Sequence, residues 1–305
     1  MMTGNSKNPR RDSHRKPRYR IPDTGLMRKG FMVPNFIGVT GLPRAGSTLL
    51  CQILAMHPDI HCQSHSSPLC NLLLALRRFA SDDQFMLAQL DVDFNAAYGH
   101  LQGGMEGMLR GWHRDAQGKR AVVDKNRAWL HCIEMLLTLA PEARLIVCLR
   151  KLGQIYGSIE ARHQKTLLLD FIDHLADFDR LGRADQLFAK DKIIGAPLVS
   201  LSAVSDLPQA VKERLYFLRF EDLMAQPAAT MTQLFQWLGL TSLEIDPNNI
   251  AIGPAESDSH YRMKYLHTQY TRIVTPEQHE IPARIQALID RSYAWYDETY
   301  YRDRR

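Results

Sequence analysis

Eight residues, Gly41-Leu42-Pro43-Arg44-Ala45-Gly46-Ser47-Thr48, have the make-up of an anion cradle. Two glycines stand five positions apart, Pro43 and Arg44 lie between them, and two hydroxyls follow. When such a turn opens a helix, it presents unpaired backbone N–H groups at the positive end of the helix dipole, and these bind a phosphate-like group. Glycine lets the backbone approach the anion closely. Kinase-type loops place Lys where Ser47 stands and also need carboxylates for Mg²⁺. The sequence has no lysine at that position and no clear Mg²⁺ aspartate, and Arg44 brings the positive charge inside the turn instead. A phosphate-like group with less charge than a triphosphate can be neutralised by an arginine, amides and hydroxyls, and no metal is expected.

Other residues stand out by type and place. Lys125 lies in Asp124-Lys125-Asn126, Arg150 ends an apolar run with Ser158 eight positions on, and Arg219 precedes Phe220-Glu221-Asp222-Leu223. His57, His61 and His65 recur every four residues, a spacing that on a helix would form a metal-binding face. Pro58 interrupts any such helix, so this reading is set aside. Late in the chain, Ser259-His260-Tyr261-Arg262-Met263-Lys264-Tyr265 forms a polar, aromatic and basic cluster.

These groups need elements to hold them. Phe36–Thr40 reads as a strand, followed by the turn and then by Leu49, Leu50, Ile53 and Leu54 at helical spacing. Further strand signals occur at 121–124, 144–150 and 215–220, each leading into a helical pattern. The run 144–150 is almost continuously apolar, as a strand buried on both faces should be. Strands alternating with helices imply a mostly parallel sheet covered on both sides. The intervals 68–118 and 164–198 look mainly helical, and insertions of that kind commonly shape an acceptor pocket.

At this point the sequence resembles the sulfotransferase superfamily that uses 3′-phosphoadenosine 5′-phosphosulfate (PAPS). Its 5′-phosphosulfate loop is matched by Pro43-Arg44-Ala45-Gly46-Ser47-Thr48-Leu49, and its strand-end arginine and helix serine by Arg150 and Ser158. Asp124-Lys125-Asn126 and Leu218-Arg219-Phe220-Glu221-Asp222-Leu223 are similar to two further family elements, the second with Phe220 in place of tyrosine. Lys151-Leu152 departs from the usual Asp-Pro after the arginine. The resemblance covers about residues 36–240 in order and implies a P-loop-like three-layer α/β/α fold with a mostly parallel central sheet and helical insertions. It also implies PAPS as donor, 3′-phosphoadenosine 5′-phosphate (PAP) as product, and sulfuryl transfer to a hydroxyl or amine of a small molecule, glycan or peptide. Arg150 and Ser158 would hold the 3′-phosphate, with Arg219 and Lys264 as further nucleotide contacts. The stretch from Arg44 to Ser67 aligns without gaps with tyrosylprotein sulfotransferases and puts His65 at their catalytic glutamate. A pKa near 6.5 suits a general base at neutral pH. Lys125 and Arg44 would stabilise the transferring oxygens. The alternatives are a P-loop phosphotransferase and a nucleotide-binding protein without catalysis.

Composition narrows the field. The 305 residues carry a net charge of +5, but residues 1–30 hold nine Lys/Arg against two Asp, which leaves the remainder at about −2. The basic excess is a tail, expected to be disordered, and residues 31–305 are expected to form one domain. Nucleic acid is therefore not an expected partner. No apolar stretch resembles a secretory signal or approaches a membrane span, so a cytoplasmic location is expected. The five cysteines show no C-x-x-C spacing and read as buried small apolar residues.

Overall fold

The computed structural model describes residues 35–170, 174–253 and 269–302. The basic tail, Arg262 and Lys264 lie outside them. The described strands are β1 (Asn35–Gly41), β2 (Ile60–Ser66), β3 (Ala121–Lys125), β4 (Arg144–Leu149) and β5 (Leu215–Arg219). The helices through the first half are α1 (Ser47–Ala55), α2 (Leu69–Asp82), α3 (Gln84–Val92), α4 (Phe94–Trp112) and α5 (Ile133–Leu139). They continue as α6 (Leu152–Gln164), α7 (Arg180–Phe188), α8 (Gly195–Ser202), α9 (Gln209–Lys212), α10 (Phe220–Ala225), α11 (Pro227–Leu238), α12 (Ala283–Ser292) and α13 (Ala294–Tyr300).

The strands form one sheet in the order β2-β3-β1-β4-β5, and every pairing is parallel. A parallel pair needs a crossover connection, and the helices that supply those crossovers bury both faces of the sheet. Six of the seven residues of β1 are accordingly buried, as are five of the six in β4. The order reverses direction at β1: one crossover leads toward β3 and β2, the other toward β4 and β5. In such sheets the crevice beyond the strand C-termini at the reversal is where ligands bind.

Four of these strands follow the apolar runs in the sequence, whereas β2 is a strand that the sequence hides. Its residues, Ile60-His61-Cys62-Gln63-Ser64-His65-Ser66, are mostly polar because it is the edge strand. Its pairing with β3 also breaks register between Cys62 and Ser66, where Ser64 takes φ 63°. His65 is therefore a strand residue, and His57, His61 and His65 share no helical face. His57 is buried before β2, with Nε2 2.9 Å from the Thr241 carbonyl oxygen and Nδ1 accepting from Asp59 N–H.

Helix α6 leads away from β4 and carries Ser158, so its anchorage matters to the site. Two residues on, the buried Glu160 carboxylate takes both arms of Arg183 from α7, at 2.6 and 2.9 Å. Burial pushes the Glu160 carboxyl up, but hydrogen bonds from Arg183 and Gln164 outweigh it and hold the group below its usual range. No helix among the described residues is long and apolar enough to cross a membrane.

Removing one partner of such a buried pair strands the other charge, so Glu160→Ala should lower unfolding stability by about 3–5 kcal/mol, measured by urea denaturation. A carboxyl held below its unfolded pKa stabilises above that value and loses the effect as pH falls. The stability gap between the wild type and Glu160→Gln should therefore narrow as pH drops below about 4.3, the ordinary glutamate value.

Candidate active site

A cavity of about 540 Å³ opens beyond the C-terminal ends of the strands. Its floor is the turn between β1 and α1. Arg44 takes φ 56° and Gly46 φ 80°, so two left-handed residues curl the backbone around the start of α1. Glycine is required at 46 on two counts: its φ is unfavourable for other residues, and a Cβ there would sit 2.5 Å from the Phe220 ring. No side chain caps α1, so its first N–H groups are available to an anion.

The neighbouring strand ends lock this turn in place. Leu42 N–H donates to the Cys148 carbonyl at 2.9 Å, tying the turn to β4. Arg150, directly after β4, donates from its guanidinium to the Arg44 carbonyl at 2.9 Å and lies over the Phe220 ring at 4.6 Å. Arg44 in turn donates from Nε to Ser158 Oγ at 3.2 Å. Arg150 is 7 % exposed, and that burial pulls its guanidinium below arginine's usual range, with Glu221 opposing and Arg44 adding to the effect. An arginine remains charged nonetheless.

On the opposite side of the turn, Lys125 ends β3, buried, with Nζ 3.3 Å from both Thr48 Oγ1 and the Ser64 carbonyl. Asp124 beside it faces away: its carboxylate accepts from the Trp129 indole at 2.7 Å and lies 3.4 Å from His113 Nε2. Asp124 thus fixes the end of β3 while Lys125 faces the ligand space. Asn126 donates to the Ser67 carbonyl at 2.7 Å and caps the short turn that carries Arg127 to the cavity.

Of the residues singled out in the sequence, Pro43, Arg44, Gly46, Ser47, Thr48, Leu49, Lys125, Arg150 and Ser158 line this one cavity. Ala45 is buried beneath the turn rather than in the wall. Arg219 is not in the wall: its guanidinium grips Asp222 with two bonds at 2.8 and 2.9 Å, stapling the end of β5 to α10. His65 does not reach the wall either. Ser66 does, whereas the half-buried His65 has Nδ1 buried and lacking a hydrogen-bond partner among the described residues. Lys151 packs over the Tyr301 ring at 3.9 Å and pairs with Asp297 at 3.3 Å. It too is absent from the wall.

The cavity also contains residues that the sequence did not mark. Arg162 on α6 and Lys165 directly after its end follow Ser158 at spacings of four and seven, so they share its face. That helical spacing was a usable signal. Tyr270 to His279 form another part of the wall without any period, and nothing in the sequence pointed to them. No residue of 68–118 lines this cavity. Among the described residues, seven lysine and arginine side chains line the wall against one carboxylate, Glu277. Such a wall suits a ligand with several negative charges.

Comparison with known proteins agrees with this geometry. The nodulation protein NoeE of Sinorhizobium fredii (strain NBRC 101917 / NGR234) is 25% identical over 255 residues, covering 76% of this chain and 55% of the relative. Carbohydrate sulfotransferase 4 of Mus musculus is 32% identical over 87 residues, 27% of this chain and 22% of that protein. The chain thus spans about half the length of the first relative, and the match reaches about a fifth of the second. Among solved structures, a sulfotransferase from Alicyclobacillus acidocaldarius superposes with a TM-score of 0.51 at 15% identity, covering 90% of this chain and 98% of that one. Residues 34–244, which include the turn, Lys125, Arg150 and Ser158, match the sulfotransferase family, and the chain belongs to it.

Proposed function

We propose that this sulfotransferase moves a sulfuryl group from PAPS to a hydroxyl or amine of a small-molecule, glycan or peptide acceptor by in-line transfer. The observation that carries this reading is the convergence in one cavity of two anion-holding groups. One comprises the Arg44 turn, the open N-terminus of α1 and Lys125; the other is the Arg150–Ser158 pair. A nucleotide with phosphate-type groups at both its 5′ and 3′ ends needs two such holds, and an inorganic anion needs one. The excess of cations over carboxylates fits the same ligand.

In this reading the N–H groups of α1, Ser47, Thr48 and Arg44 hold the 5′-phosphosulfate, and Arg150 and Ser158 hold the 3′-phosphate. The donor supplies the activated sulfuryl group. Lys125 contacts Thr48 and is aimed at the same oxygens, so it stabilises charge on the leaving bridge as the group departs. Phe220, in place of a tyrosine, supports Arg150 from below through its ring. His65 is not among the residues that line the cavity, and the reading does not use it as the base.

Calorimetric titration with PAP in EDTA, with ATP and Mg·ATP as comparators, should give selective micromolar binding; preference for Mg·ATP would point to the phosphotransferase. Arg150→Ala should weaken PAP binding by roughly ten- to a hundredfold, the worth of charge-assisted hydrogen bonds. Lys125→Ala should lower kcat about 10²- to 10³-fold, as loss of a donor to developing charge does, while PAP affinity changes only a few-fold. His65→Ala should retain kcat within a few-fold. A drop beyond about a hundredfold with unchanged donor affinity would restore His65 as the base.

A further inference from the structure

His279 has no part in the family motifs, yet it stands beside the Arg150–Ser158 pair. Its backbone is pinned to α6 twice over: His279 N–H donates to Gln154 Oε1 at 2.9 Å, and its carbonyl accepts from Gln154 Nε2 at 3.0 Å. Its side chain lies directly on the helix one residue before Ser158. A Cβ on Gly157 would be 2.4 Å from His279 Cβ and 3.0 Å from Cγ, so a side chain at 157 would displace the ring. From that seat His279 joins Arg44, Arg150 and Ser158 in the cavity wall. The charged groups acting on it are Arg150 from the end of β4, Arg44 from the turn, and Glu277 from its own segment.

We infer that His279 is a further ligand of the donor's 3′-phosphate and that it takes up a proton from solvent as that phosphate binds. The inference rests on the PAPS reading above. Without ligand, burial lowers the imidazole's pKa, Glu277 opposes this, and the Arg150 and Arg44 cations lower it further, so the ring is neutral at pH 7. A phosphate dianion between Arg150 and Ser158 reverses the local sign and favours imidazolium, which then donates a charge-assisted hydrogen bond. The direction of the pH dependence follows. Affinity should rise as pH falls through the raised pKa of the complex, and level off below the lowered pKa of the free protein. The cavity thereby distinguishes a 3′-phosphorylated nucleotide from one lacking that group by a proton as well as by the fixed Arg150 cation.

The test is titration calorimetry at pH 7 with PAP and with adenosine 5′-phosphate, in buffers of different ionisation enthalpy, so that the slope gives protons bound per ligand. The ligand's own phosphate has a second pKa of about 6 and releases protons on meeting cations, so it cannot account for uptake. The wild type should take up most of one proton with PAP and none with adenosine 5′-phosphate. His279→Gln should show no uptake, and its PAP affinity should be roughly tenfold weaker at pH 6.5 than the wild type's, with the difference shrinking by pH 8. Gly157→Ala, whose Cβ would displace the His279 side chain, should also lose uptake and the low-pH gain in affinity while still binding PAP. PAP binding without uptake in the wild type, or uptake that survives in His279→Gln, would overturn the inference and leave the donor assignment standing. Absence of PAP binding to the wild type would overturn the donor assignment as well.

Discussion

The hydrogen bond from the Arg150 guanidinium to the Arg44 carbonyl is the constraint around which the site is built. It joins the end of β4 to a turn whose residues 44 and 46 both lie in the left-handed region. Such a turn is costly in isolation, since each non-glycine residue with positive φ costs about 1–2 kcal/mol. It persists because its neighbours over-determine it. Arg150 takes the carbonyl, Ser158 takes Arg44 Nε, and the Phe220 ring occupies the space that any side chain at position 46 would need. The backbone N–H groups at the start of α1 are thereby aimed into the crevice before any ligand arrives, which is the preorganisation that electrostatic catalysis needs.

A wall whose described residues include seven basic side chains and one carboxylate is under electrostatic tension. The structure eases it by directing some cations away. Arg219 is neutralised by Asp222, and Lys151 by Asp297 and the Tyr301 ring. Both are arginine or lysine residues at strand ends, as Arg150 is, and only the arrangement of their partners separates a fastener from a ligand-facing group. The sequence contains Asp222 three residues from Arg219, within reach at the start of a helix, so that pairing was open to inference. Asp297 lies 146 residues from Lys151, and no local pattern could have linked them.

The fold was legible where burial imposes a pattern. Strands β1, β3 and β4 are buried runs, β5 is an apolar and partly buried one, and their order in the chain already implied a parallel sheet. Strand β2 was not legible, because an edge strand with an irregular register has neither an apolar run nor a regular alternation. The same omission left the sequence with no orientation for His65: on β2 its neighbour Ser66 lines the cavity and His65 does not. The turn, Lys125, Arg150 and Ser158 were legible because each sits at a strand end or on a helix at a fixed offset.

The rest of the site comes from a part of the chain that follows no such rule. The family match ends at residue 244, yet the site is completed by what lies beyond it. Residues Tyr270 to His279 line the cavity, and Gln154 holds the end of that segment against α6. Helix α13 then returns to the opposite side of β4, where the buried Tyr296 hydroxyl donates to the Arg150 carbonyl at 3.0 Å. Glu221 adds a second clasp, taking Lys151 N–H at 2.9 Å and the Tyr301 hydroxyl at 3.0 Å. Burial raises the pKa of both phenols, so they stay neutral donors throughout the ordinary pH range. The same residue pair, Arg150-Lys151, is thus gripped from behind by the C-terminal helix while its guanidinium is used in front. Anything that loosens α13 would shift Arg150 and, through its bond to Arg44, the turn that opens α1.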